Sequence, residues 1–110
     1  MMSRPGRAVS EQENRRYQPP PGYHVFKMRV ANVPDKDFIE VEVSADEIAT
    51  YEDFVKFCCF EFHIPCTDYV KKIIKIPSVR IRGDADVRRF ETYESFDIVL
   101  VNPESIVLRY

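Results

Sequence analysis

Apolar and polar residues alternate along most of this chain, and in one central stretch the spacing changes from that of a strand to that of a helix. In HVFKMRV (24–30), Phe26, Met28 and Val30 alternate with Lys27 and Arg29; in FIEVEV (38–43), Ile39, Val41 and Val43 alternate with Glu40 and Glu42. Such alternation marks a strand with one buried face. The turn residues of ANVPDKD between the two runs predict a hairpin. VKKIIKI (70–76), stopped by Pro77, predicts a third strand. In FDIVLV (96–101), Phe96, Ile98 and Leu100 alternate with Asp97, Val99 and Val101, the most strand-like run of all. Residues 78–95 read as loop, with Gly83 and one short element around DVRRF.

TYEDFVKFCCFEFHIP (50–65) has the helical period. At about 100° per residue, Tyr51, Phe54, Val55, Cys58 and Phe62 share one face, with Glu52, Asp53, Lys56 and Glu61 around the rest. Thr50 is placed to cap the first turn, with Asp53 three residues on, and Pro65 closes the far end. The predicted order is ββαβ, a short element, then β. The predicted core is Phe26, Met28, Ile39, Val41, Val43, Phe54, Cys58, Phe96, Ile98 and Leu100.

A length of 110 residues suits one small domain. The expected organisation is a Pro-rich arm over 1–22, extended or disordered and carrying Pro19, Pro20 and Pro21, a domain over 23–102, and a strand-like tail over 103–110. The arm has no complete PxxP with a flanking base, so a plain tail is preferred to an SH3 or WW ligand. No apolar run is long enough to cross a membrane, and the N-terminus lacks the apolar region of a secretory signal. Three cysteines, an odd number without disulfide spacing, point to a reducing compartment, cytoplasmic or nuclear. Acids dominate 35–53, while Lys71, Lys72, Lys75, Arg80, Arg82, Arg88 and Arg89 gather later.

A hairpin, a crossing helix, and strands that return beside the first describe a β-grasp of the α+β class. The chain resembles ubiquitin in Ile39, Val41 and Val43, in Thr50 as cap, in Tyr51, Phe54 and Cys58 as core helix positions, in Ile64-Pro65, and in the run from Phe96 to Val99. It is similar more closely to the C-terminal region of the ankyrin repeat domain-containing protein 40 family and its short relatives lacking the repeats. That likeness rests on DFIEVEV (37–43), TYEDFVKFCC (50–59), KIIKIP (72–77) and RGDADVRR (82–89). It implies a scaffold or adaptor fragment and brings no functional residues with it.

The candidate chemistry is sparse. Cys58, Cys59, His63 and Cys66 have a zinc-like spacing, but adjacent helical cysteines point about 100° apart. The expectation is core packing for Cys58 and no metal or other cofactor. A Cys-His pair without an oxyanion loop or orienting group argues against an enzyme. The chain ends SIVLRY rather than Gly-Gly, so conjugation to targets is not expected. A nucleic-acid-binding module built on the basic cluster is the alternative function, set back by the net charge of −2 and by Phe90 as the one aromatic nearby. Head-to-tail self-association through Lys27 and Asp84 or Asp86 is another.

The expected function is therefore non-catalytic engagement of another protein. Phe60 falls on the helix side opposite the core and Phe57 at its edge, and exposed phenylalanines call for a cover. The candidate binding elements are Phe57 and Phe60 with Ile106, Leu108 and Tyr110 of the tail. The second candidate is the open sheet face around Lys27, Arg29 and Val99.

Overall fold

The computed structural model describes residues 17–105. Tyr23–Val30 (β1) and Ile39–Ser44 (β2) form the expected antiparallel hairpin, in register from Tyr23 opposite Ser44 to Met28 opposite Ile39. Ahead of β1, Pro21 and Gly22 occupy the centre of a turn closed by the Tyr23 N–H on the Pro20 carbonyl at 3.1 Å. Gly22 has φ +85 there, the position of a type II turn that favours glycine after proline. Part of the expected arm, residues 17–22, is thus a defined approach to the sheet.

After β2 a 3-10 turn, Ala45–Ile48, leads into the helix Tyr51–Phe62 (α1). The Thr50 hydroxyl accepts the Asp53 N–H at 3.1 Å, as the sequence predicts. The other end differs. His63 takes a left-handed conformation (φ 58) and ends the helix before Pro65, with the Ile64 N–H bonded back to the Cys59 carbonyl at 2.9 Å. A non-glycine residue fills this capping position, which histidine tolerates better than most.

Val70–Lys75 (β3) follows as expected, but residues 78–95 are not simply loop. Val79–Ile81 (β4) pairs antiparallel with β3, Asp84–Val87 (α2) forms one helical turn, and the last strand, Tyr93–Leu100 (β5), begins three residues before Phe96. The sheet order is β2-β1-β5-β3-β4, with β5 parallel to β1 at the centre. This is a ubiquitin-like β-grasp of α+β class, with a mixed sheet packed on one main helix.

Four phenylalanines make the centre of the core. Phe26 of β1, Phe54 of α1, Phe90 after α2 and Phe96 of β5 meet in every pairing, with ring centroids 5.0–6.2 Å apart and edge-on or tilted. Met28, Val43, Cys58, Ile98 and Leu100 are buried as predicted, and Phe62, Ile73, Ile81 and Val87 extend the cluster toward β4. Ile39 and Val41 depart from expectation. They point to the helix side of the sheet but stay half-buried, because β2 is an edge strand with no neighbour beyond it.

Candidate interaction surface

The predicted site residues lie on two faces. Phe60, in the last turns of α1, is 78% exposed. Phe57 is not exposed as expected; it is half-buried and packs on the rim of the core. Cys59, on the other flank of the helix, is buried, whereas Phe57 packs against the margin of the core, as Ile39 and Val41 of β2 also do. Phe57, Ile39 and Val41 are thus all half-buried at the margin of the same core. Ile106, Leu108 and Tyr110 lie outside the described residues.

Lys27, Arg29 and Val99 share the opposite, helix-free face. Lys27 is exposed and stands across from Glu40 on one side and Ser95 on the other. Arg29 is less free than expected: its Nε donates to Asp97 Oδ1 at 2.7 Å and its guanidinium lies 4.5 Å from the centroid of the Phe38 ring. Val99 is half-buried opposite Lys72.

Sequence reasoning missed a second arrangement on this face. Tyr17 donates its hydroxyl to Glu42 at 2.5 Å and accepts the Tyr93 hydroxyl on its backbone carbonyl, so it bridges β2 and β5. Val25 stands between Glu42 and Tyr93 in the sheet and is buried although no helix covers it. Beside this bridge lies a concavity of about 890 Å³ bordered by Lys27, Glu40, Ile76 and Ser95. Only the alternation placing Val25 with Lys27 and Arg29 hinted at it.

The remaining candidates separate. Cys58 lies in the core and burial holds its thiol well above its ordinary pKa; burial pushes Cys59 up to about 11. Cys66 and His63 are exposed. Among the described residues no group of three or more His, Cys, Asp or Glu side chains is placed to hold a metal ion. The basic cluster is partly neutralised, since Lys75 pairs with Glu94 at 3.6 Å and Arg82 and Arg89 both pair with Asp86. Asp84 accepts the Tyr51 N–H at 2.7 Å. Both acids of the head-to-tail reading thus have partners within their own chain.

A profile described as the ANKRD40 ubiquitin-like domain matches residues 28–101, from the middle of β1 past the end of β5. The chain belongs to the ANKRD40 ubiquitin-like domain family. It is 35% identical over 83 residues to human ankyrin repeat domain-containing protein 40, covering 74% of this chain and 22% of that protein. The mouse protein of the same name is 34% identical over 79 residues, 70% of this chain and 21% of its own. The human putative ANKRD40 C-terminal-like protein is 31% identical over 74 residues, 67% of this chain and 63% of its own. This ANKRD40-type domain therefore spans about a fifth of the ankyrin-repeat relatives. No solved structure matches the chain.

Proposed function

We propose that this ANKRD40-type ubiquitin-like domain is a non-catalytic adaptor or scaffold module that binds another protein, in the cytoplasm or the nucleus. The observation that carries the reading is Phe60: a phenylalanine 78% exposed on the outer side of a helix whose Phe54 and Phe62 are fully buried. An isolated exposed apolar residue is ordinary, but Phe60 adjoins half-buried Phe57, and the two make a patch with a core beneath it. Residues 106–110, with Ile106, Leu108 and Tyr110, are the proposed second element of the interface. The free thiols, with Cys66 exposed, fit a reducing compartment.

Affinity capture from cell extract with the full chain, its Phe60→Ser variant and a deletion of 103–110 tests the reading. Loss of a common set of partners in either folded variant supports it. If both variants keep every partner, the interface moves to the sheet face around Lys27, Arg29 and Val99. If no variant and not the parent captures any protein, the module reading fails.

A further inference from the structure

β2 is an edge strand whose outer backbone groups can be identified. The Ala45 N–H bonds the Gly22 carbonyl at 2.8 Å, one step beyond the Tyr23–Ser44 pair. Antiparallel partners exchange hydrogen bonds at every second pair, so Val43, Val41 and Ile39 face β1 with their backbone groups. The Val25 N–H of β1 turns the other way, to the Thr92 carbonyl at 2.7 Å, as this phase requires. The N–H and C=O groups of Glu40 and Glu42 consequently point outward. Among the described residues no backbone group bonds to them.

An exposed edge is commonly blunted by lysine, proline or brevity. The opposite edge, β4, has all three features or their like: it is three residues long, carries Arg80 and follows Pro77. β2 has six residues and neither lysine nor proline. Its two sides also differ. On the helix side Ile39 and Val41 are half-buried against the core; on the other side stand the carboxylates of Glu40 and Glu42, the latter accepting the Tyr17 hydroxyl. The stretch 35–53 is strongly acidic, with eight carboxylates and one ammonium, Lys36, and Lys27 of β1 is the cation that stands across from Glu40.

We propose that the outer edge of β2 is a docking strip for an extended segment of another protein in which apolar and basic residues alternate. The segment adds to the sheet as a further strand, bonding the outward groups of Glu40 and Glu42. Its apolar side chains pack on half-buried Ile39 and Val41 at the margin of the core. Its lysines or arginines fall on the other side, next to Glu40 and Glu42, where opposite charges in neighbouring strands attract. Charge selects this occupant. Two copies joined β2 to β2 would set these glutamates against one another. Directly after β5 the chain bonds on the other half of the sheet, where the Val101 N–H meets the Tyr69 carbonyl at 2.8 Å just ahead of β3. Residues 1–16 do not alternate apolar with basic side chains.

This inference rests on the interaction-module reading and names its partner class. The test uses the full chain, labelled for NMR, with three synthetic probes: a peptide alternating valine with lysine, its counterpart with glutamate for lysine, and the lysine peptide N-methylated at alternate residues in either phase. In the free protein the amides of Glu40 and Glu42 should exchange fast while those of Ile39 and Val41 are protected. The lysine peptide should bind at least about tenfold more tightly than the glutamate peptide, protect Glu40 and Glu42, and weaken with salt. One N-methylation phase should bind and the other should not. Glu40→Pro removes an outward donor that the β1 ladder does not use, so the fold tolerates it; it should weaken the lysine peptide at least about tenfold, and Glu40→Gln by a smaller factor. Equal binding of the two charge forms, indifference to N-methylation phase, or protection confined to β4 overturns the proposal. Protection of Glu40 and Glu42 in the free protein also overturns it, in favour of the chain's own segment if independent of concentration and of a second copy if not. A protein that ignores the lysine peptide yet captures Phe60-dependent partners sinks this inference and leaves the module reading standing.

Discussion

The carboxylate of Asp84 accepts the backbone N–H of Tyr51, the first residue of α1, at 2.7 Å, across 33 positions of sequence. The first turn of a helix has N–H groups without intrahelical partners and a partial positive charge, and a carboxylate satisfies both. Thr50 takes the Asp53 N–H, so two acceptors share the first turn. The one-turn helix α2 is thereby tied to the start of the main helix.

Asp84→Ala should therefore lower stability by about 1 kcal/mol, the usual scale for loss of a helix cap. Urea unfolding should show a lower midpoint with an unchanged slope. An unaltered midpoint would mean that Thr50 alone sets the helix start.

Phe54→Ala removes one ring from the four-phenylalanine centre and should cost about 3–5 kcal/mol, much of the stability of a domain this size. Phe60→Ser, on the same helix, should change stability by less than about 0.5 kcal/mol. Denaturation of the two variants side by side checks the pair; similar losses would mean that Phe60 has a cover.

What the sequence could and could not specify follows from how each element is stabilised. β1, β2, α1 and β5 each carry several inward residues at a regular spacing, and their order alone implies the β-grasp. β4 contributes only Ile81 to the core, with Arg80 and Arg82 on either side, so its pattern is that of a loop; pairing with β3 makes it a strand. Val87 and Phe90 are buried through a single turn too short to have a period. Pro65 marks the end of the helix in the sequence because proline has a local signature, whereas a left-handed histidine has almost none. On the site side, periodicity located Phe60 outside the core. It overestimated the exposure of Phe57, since angle on a helix does not say how far the sheet extends beneath it. Tyr17 was not legible at all, because its two hydrogen bonds reach residues 25 and 76 positions away.

The thiols should divide by burial. At pH 8, Cys66 should react promptly with a disulfide reagent in the folded protein, while Cys58 and Cys59, their pKa values raised by burial, react only on unfolding. Thiol counting before and after denaturant should give one fast thiol and then all three. Release of stoichiometric zinc on denaturation would contradict the core assignment of Cys58 and Cys59.

Asp86 supplies an acid-sensitive element. Its carboxylate accepts the Arg82 N–H at 2.8 Å and pairs with the Arg89 and Arg82 side chains, and the backbone bond to Arg82 is the main cause holding its pKa below the ordinary 3.8. A depressed folded-state pKa means that the group's contribution is complete above 3.8 and is lost as pH falls through the lower folded value. Asp86→Asn should flatten that part of the acid-stability curve and leave the curve near neutrality parallel to the parent. An unchanged acid limb in the variant would refute the assignment.

The bridge made by Tyr17 should respond to alkali and to mutation in a way that separates it from the fold. Its hydroxyl donates to Glu42, and that bond is the leading reason its pKa is raised from 10.0; it can donate only while protonated. A raised folded-state pKa gives a contribution fully present below 10.0 and lost as pH rises through the higher folded value. Since Val25 lies buried between Glu42 and Tyr93 on a face with no helix, release of Tyr17 should expose its methyl groups while Phe26, pointing the other way, stays in the core. Methyl NMR should show the Val25 signals shifting above pH 10 along with tyrosinate absorbance. Tyr17→Phe should shift them at neutral pH, and the aromatic signals of Phe26, Phe54 and Phe96 should hold their positions in both cases. If Val25 does not respond to Tyr17→Phe, the Tyr93 hydroxyl bond to the Tyr17 backbone holds the bridge by itself, and Tyr93→Phe becomes the variant that should release it.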